Sequence, residues 1–170
     1  MSGFAGAEEE PVFHIVLVEP EIPPNTGSIG RLCLGTRCRL HLVKPLGFSL
    51  DEKAVRRAGL DYWKHVDLVV HERFEDLLIM LEGARYRFTS ARYGIPYAAH
   101  AYARGDVFVF GRESVGLPDQ FHQQYPDQFI RIPTIGPIRS LNLSNAASII
   151  VYEGLRQIQP ELFDGTAAGT

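Results

Sequence analysis

The stretch VFHIVLVEPEIPPNTGSIGRLCLGTRCRLHLV, residues 12–43, decides the fold class. Val12 to Glu19 is β-branched and apolar almost without interruption, as expected of a strand buried on both faces of a parallel sheet. Pro20, Pro23, Pro24, Asn25 and Gly27 then predict a loop. Ser28, a small polar residue able to cap, opens a short helix to about Thr36. Arg39 to Val43 reads as a second strand, closed by Lys44-Pro45-Leu46-Gly47.

The alternation continues outward. A helix is expected from Asp51 through Ala58, stopped by Gly59, and a strand over His65–His71. Phe74 to Leu81 is helical, with Gly83 as its stop, and Tyr86–Ser90, Val107–Phe110 and Phe129–Ile132 read as further strands. From about Leu141 to Ile158 the apolar residues Leu143, Ala147, Ile150, Val151, Leu155 and Ile158 keep a helical period, and Pro160 ends it. Strands alternating with helices imply one α/β domain over residues 12–160, with a mainly parallel sheet covered by helices on both faces. Residues 1–11 and 161–170 offer little to bury and are expected to be disordered tails.

The 170 residues, 45% hydrophobic and 22% charged, have the balance of an ordinary globular protein. No apolar run approaches a membrane span, and the N-terminus lacks the pattern of a secretory signal, so a cytoplasmic protein without membrane contact is expected. The net charge of -3 is unevenly spread. Glu8, Glu9, Glu10, Glu161 and Asp164 crowd the ends, whereas Ile22 to Leu50 holds Arg31, Arg37, Arg39 and Lys44 and no acid. Such a local basic face can attract RNA, although a merely solvated surface would look the same.

In open α/β sheets, ligands bind beyond the carboxyl ends of the strands. Three loops fall there: PEIPPNTGSIGR (20–31), GRESVGLP (111–118) and PTIGPIRSLNLSNAAS (133–148). None carries the dinucleotide or phosphate-loop glycine pattern. Their small, polar, glycine-bearing composition fits a ligand site and equally fits three tight turns. Cys33, Cys38 and His41 lack the spacing of a metal site and read as buried groups, so no metal is expected. Ser114, Ser140 and Ser144 lack the setting of a nucleophile. Tyr62, Trp63, Tyr93 and Tyr97 have rings able to stack on bases or to pack in the core.

Read together, IVLVEPEIPPNTGSIGRLC (15–33), RRAGLDYW (56–63), FVFGRESVGLP (108–118) and IRIPTIGPIRSLNLSNAASIIVYEGLRQ (130–157) carry a resemblance. The chain resembles the SPOUT class of RNA 2'-O-methyltransferases, and within it the subfamily that methylates the wobble nucleotide, cytidine or uridine 34, of tRNA. The likeness runs from about Phe13 to Gln159. It implies a C-terminal deep trefoil knot, which chain-topology rules would not suggest. It implies S-adenosylmethionine as cofactor, tRNA as partner, and a homodimer whose active sites borrow residues across the interface.

Carried onto this sequence, the resemblance implies cofactor binding at Phe88, Thr89, Gly111, Gly116, Ile132, Ser140, Leu141 and Asn145. It implies catalytic roles for Arg31, Asn25, Glu113 and Tyr152, with Asn142 and Ser144 also matching the third motif. Glu113 and Asn145 could instead serve loop and helix-cap bonding, and Tyr152 could serve core packing. Arg31 stands open as base or as phosphate or oxyanion ligand. Thr134, Ser28 and Arg112 depart from the family pattern, which bears on substrate choice more than on reaction type. Methylation at another tRNA or rRNA site, or RNA binding without catalysis, are the alternatives.

Overall fold

The structure is a computed structural model that describes residues 10–51 and 61–165. Seven strands form one sheet: β1 (His14–Val18), β2 (Arg39–Val43), β3 (Leu68–His71), β4 (Tyr86–Thr89), β5 (Ile95–Pro96), β6 (Val107–Phe110) and β7 (Phe129–Arg131). Their spatial order is β3-β2-β1-β6-β4-β7-β5, and every pairing is parallel. The chain lays β1, β2 and β3 outward in one direction. It then crosses to the far side to place β4, and β6 fills the gap between β4 and β1. This reversal between neighbours β1 and β6 is the kind of switch point where an open sheet leaves a crevice.

Side-chain alternation along the strands builds two cores. Ile15 and Leu17, Leu40 and Leu42, and Phe108 and Phe110 face helices α1 (Pro23–Thr36) and α4 (Leu143–Ile158), through Ile29, Cys33, Ala147, Ile150, Val151 and Leu155. Val16, Val18, Val43, Val107, Val109, Phe88 and Phe129 face the other way, onto Leu77 of α2 (Phe74–Met80) and Phe121 of α3 (Asp119–Gln124). Helices therefore cover both faces, and α4 packs against α1. Cys33 and Cys38 are free, buried thiols whose pKa is raised by burial.

On the α2 face the strands align three buried histidines. His14 Nδ1 lies 2.9 Å from His41 Nε2, and His41 Nδ1 lies 2.9 Å from His71 Nε2. No ring is more than 8% exposed.

Several boundaries differ from expectation. Helix α1 begins at Pro23 rather than Ser28, with Pro23 and Pro24 in its first turn. Proline tolerates that place because the first amides of a helix lack internal acceptors. The third strand is shorter, since Trp63–His65 is a 3-10 turn. Two elements were not expected, β5 and α3. The helix expected over 51–58 lies, past Asp51, outside the described residues. Order continues beyond Pro160, where a tail was expected: Pro160–Leu162 form a 3-10 turn and the Phe163 ring meets Tyr152 edge-on, centroids 6.4 Å apart. No helix among the described residues is long and apolar enough to cross a membrane.

Candidate functional site

A cleft of about 650 Å³ opens at the carboxyl ends of β4, β6 and β7, beside the start of α1. One wall is the loop Gly111–Pro118. Within it, Arg112 and Gly116 exchange backbone hydrogen bonds of 3.1 and 2.8 Å. This turn is so tight that a Cβ on Gly111 would sit 2.1 Å from the carbonyl carbon of Gly116. Gly116 has φ +75°, a left-handed conformation that glycine adopts freely. Leu117 then drops into the core and fixes the far end of the loop.

Glu113, at the tip, reaches across to the mouth of α1. Its carboxylate accepts from the Glu21 amide at 2.9 Å, the Ile22 amide at 3.1 Å and Asn25 Nδ2 at 3.3 Å. The contact is reciprocal, for Ser114 donates from its amide (3.0 Å) and hydroxyl (2.9 Å) to the Glu21 carboxylate. Arg112 pairs with Glu19 in the same seam. Helix α1 has no side-chain cap of its own. Glu113 supplies a negative partner to amides that would otherwise need water at the positive end of the helix.

The third loop joins through Asn142. Its Nδ2 donates to Asn25 Oδ1 at 2.9 Å, while its Oδ1 accepts from the amides of Ser144 (2.9 Å) and Asn145 (3.3 Å) and caps α4. Arg139 donates to the Ser114 carbonyl at 2.6 Å. Segments 19–25, 111–118 and 139–142 are thus laced into one rim, and Thr89, whose hydroxyl donates to the Val109 carbonyl at 3.0 Å, forms part of the cleft wall.

Of the residues given catalytic or cofactor-binding roles from the sequence, Asn25, Glu113, Thr89, Gly111, Gly116, Ile132, Ser140 and Leu141 line this cleft. Four do not. Phe88 is fully buried beneath it, with its ring stacked on Tyr125 at 4.6 Å between centroids. Its outward neighbour Thr89 meets the cleft instead, because successive strand residues face opposite ways. Asn145 is exposed in the first turn of α4, and its amide is spent on the cap. Arg31 lies on the exposed surface of α1, its guanidinium 5.7 Å from the centroid of the Tyr62 ring. It is six residues, or about 9 Å of helix rise, beyond Asn25. Tyr152 is half-exposed on α4 against Phe163.

Sequence reasoning missed Glu21 and underweighted Asn142. An acid in a proline-rich loop gives no signal. Asn142 gave one: an Asn directly before an apolar helix is a cap pattern.

Comparison with known proteins matches residues 12–152 to the SpoU rRNA Methylase family. The tRNA (cytidine(34)-2'-O)-methyltransferase of Methylovorus glucosotrophus is 48% identical over 147 residues, covering 86% of this chain and 96% of that one. A solved structure bearing on the 2-OH methylation of C/U34 on tRNA superposes with a TM-score of 0.79 at 42% identity, covering 85% of this chain and 95% of the other. The SpoU methyltransferase AviRb from Streptomyces viridochromogenes, solved in complex with AdoMet, has a TM-score of 0.73 at 24% identity, covering 89% and 59%, a likeness of fold. Since the match spans all seven strands and the three laced loops, this chain belongs to the SpoU rRNA methylase family.

Proposed function

We propose that this protein transfers a methyl group from S-adenosylmethionine to the ribose 2'-oxygen of nucleotide 34, a cytidine or uridine, in tRNA. The observation that carries the reading is the junction of Asn25, Glu113 and Asn142, where three of the four stretches bearing the resemblance meet at one cleft. The cleft has the volume of a small-molecule pocket. Its lining of glycine backbone, Ser140 and Thr89 among apolar Ile132 and Leu141 suits a nucleoside held by main-chain groups. When bound, S-adenosylmethionine supplies a sulfonium methyl already activated for displacement. Thr89, Gly111, Gly116, Ile132, Ser140 and Leu141 would hold it, with Phe88 backing the wall from the core.

The remaining work is to place the ribose oxygen in line and to manage its proton. A 2'-hydroxyl is a weak nucleophile until that proton is withdrawn or strongly hydrogen-bonded. A guanidinium keeps its own proton, so Arg31 acts as a cation that fixes a phosphate and stabilises the oxygen as charge develops, and the hydroxyl proton passes to solvent water at the open cleft. Asn25 and Glu113 position the loops, and Tyr152 contributes from α4.

Arg31 and Tyr152 stand outside the cleft of their own chain, which supports a homodimer in which Arg31 of the partner subunit completes each site. Leu34 on α1, Tyr152 on α4 and Phe163 leave large apolar side chains in solvent, the surface a second copy would cover. The trefoil knot belongs to the same reading. Strand β7 lies beyond β4 while α4 packs on α1, so the chain from Arg131 to Leu143 must cross the ends of β4 and β6, where the loop 111–118 stands. A cytoplasmic location goes with a tRNA substrate.

The test is incubation with labelled S-adenosylmethionine and tRNA lacking wobble methylation, followed by digestion and mass spectrometry. A 2'-O-methyl nucleoside at position 34 is expected. Methylation elsewhere would assign another RNA site, and cofactor binding without transfer would make the protein an RNA-binding module. For the dimer, mixed Arg31→Ala and Gly111→Ala chains should regain activity through hybrid sites; no recovery would place Arg31 at its own cleft.

A further inference from the structure

Beside the cleft, and sharing Tyr93, Asp119 and His122 with it, lies a second, shallower hollow of about 370 Å³. Tyr93 is 59% exposed, an unusual place for a large ring, yet it is held firmly. Its ring meets His122 edge-on at 5.0 Å between centroids, and His122 stacks flat on Phe129 at 4.1 Å and 15°. Phe129 in turn is buried against Phe88. The column therefore runs from solvent to the core.

The backbone that presents Tyr93 is pinned as well. The Ser90 hydroxyl accepts from the amides of Arg92 (3.1 Å) and Tyr93 (3.2 Å). Gly94, at φ +98°, is pressed so closely on β7 that a Cβ there would fall 2.2 Å from the Phe129 carbonyl oxygen. Arg131 Nε also donates to the Gly94 carbonyl at 3.1 Å. A ring fixed in this way loses little freedom when a flat partner lies on it, which is what stacking recognition needs.

The rim has the complementary chemistry. Asp119 offers an acceptor and Gln123 both a donor and an acceptor, the groups that read a base edge. Arg92 is exposed, with no ion-pair partner among the described residues, and stands next to Tyr93 where a phosphodiester would run. We propose that this hollow is a stacking subsite for the base of a nucleotide flanking the methylated one, with Tyr93 as its platform. The inference rests on the RNA 2'-O-methylation reading above and adds to it a residue that sets RNA affinity. A strand whose target ribose enters the cleft must pass the shared wall, so the neighbouring base meets Tyr93.

The test uses the full chain and a tRNA anticodon stem-loop. Tyr93→Ala should raise KM for the RNA about tenfold or more, with cofactor affinity and kcat close to wild type, and Tyr93→Phe should restore it. An abasic nucleotide beside the target should reproduce the loss in wild type and add nothing in Tyr93→Ala. An unchanged KM in Tyr93→Ala, with wild type active, overturns the subsite. So does a loss that falls on cofactor affinity, which would make Tyr93 part of the cofactor cleft. If wild type itself transfers no methyl group to RNA, the parent reading falls and the subsite with it.

Discussion

The two halves of the sheet handle polar groups in opposite ways. Strands β3, β2 and β1 bury His14, His41 and His71 in a row, the middle ring, His41, spending one nitrogen on each neighbour. Burial, followed by the neighbouring imidazoles, pushes the pKa of His41 down to about 2; burial, followed by the charge of Arg39, pushes that of His14 down to about 4. Burial lowers His71 too. Strands β6 and β7 instead end in loops whose Glu113 and Asn142 each bond Asn25, in the first turn of α1, around an open cleft. A neutral imidazole can both give and accept a hydrogen bond, so a row of them satisfies itself indoors. Groups that must meet a ligand are kept at strand ends, where loops rather than sheet fix their spacing. The first half is built for stability and the second for binding.

The largest expected effect tests whether the second half suffices by itself. Arg31→Ala, outside the cleft, should lower methyl transfer on the order of a thousandfold while leaving cofactor affinity unchanged, as loss of an oxyanion donor does. Near-normal turnover would make the cleft self-sufficient. Gly111→Ala should come next, because the added carbon meets backbone rather than a movable side chain. A drop of about a hundredfold in cofactor affinity and turnover, with the circular dichroism of the wild type, is expected for a displaced loop.

A smaller effect belongs to the histidine row, and its sign follows from linkage. The folded pKa values lie below the unfolded value of 6.5, so the unfolded chain takes up more protons as pH falls below that value. Stability is then full above about pH 6.5 and is lost at up to about 1.4 kcal/mol per pH unit for each histidine, down to about pH 4 for His14. Melting temperature followed from pH 7.5 to 5 should fall, and should fall less in His41→Leu with its partners left in place. A flat profile would remove the contrast between the halves. The smallest effect is that of Asn142→Ala, where the loss of a helix cap should cost about 1 kcal/mol and lower Tm by about 2–4 °C.

Legibility in the sequence follows the same division. Strands β2 and β6 have the bounds that the sequence suggested, and in β6, VFVF, burial on both faces leaves an unbroken apolar signature. The start of α1 was misplaced because the group satisfying its entry amides, Glu113, stands 92 residues from Glu21 and leaves no local mark. Strand β5 is two residues paired with β7, and α3, DQFHQQ, has Phe121 as its one buried residue among the described residues, so neither has a periodic pattern to read. The histidine row was invisible for a related reason. His14, His41 and His71 become neighbours only through the parallel register of three strands. The cleft was legible as three loops and as a resemblance. That Phe88 and Asn145 stand off it depended on strand parity and on a cap geometry seen only in three dimensions.

The bond between Asn25 and Asn142 also has a meaning in time. Its partners are 117 residues apart, and β1 must wait for β6 before its second edge is paired. A chain emerging from a ribosome therefore exposes its first strand and helix long before the rim can close. Parallel sheets built from such distant segments fold slowly. Chaperones would have most to protect in that interval. The rim cannot close until Asn142 has been made, and a nascent chain stalled before it would have no complete place to bind.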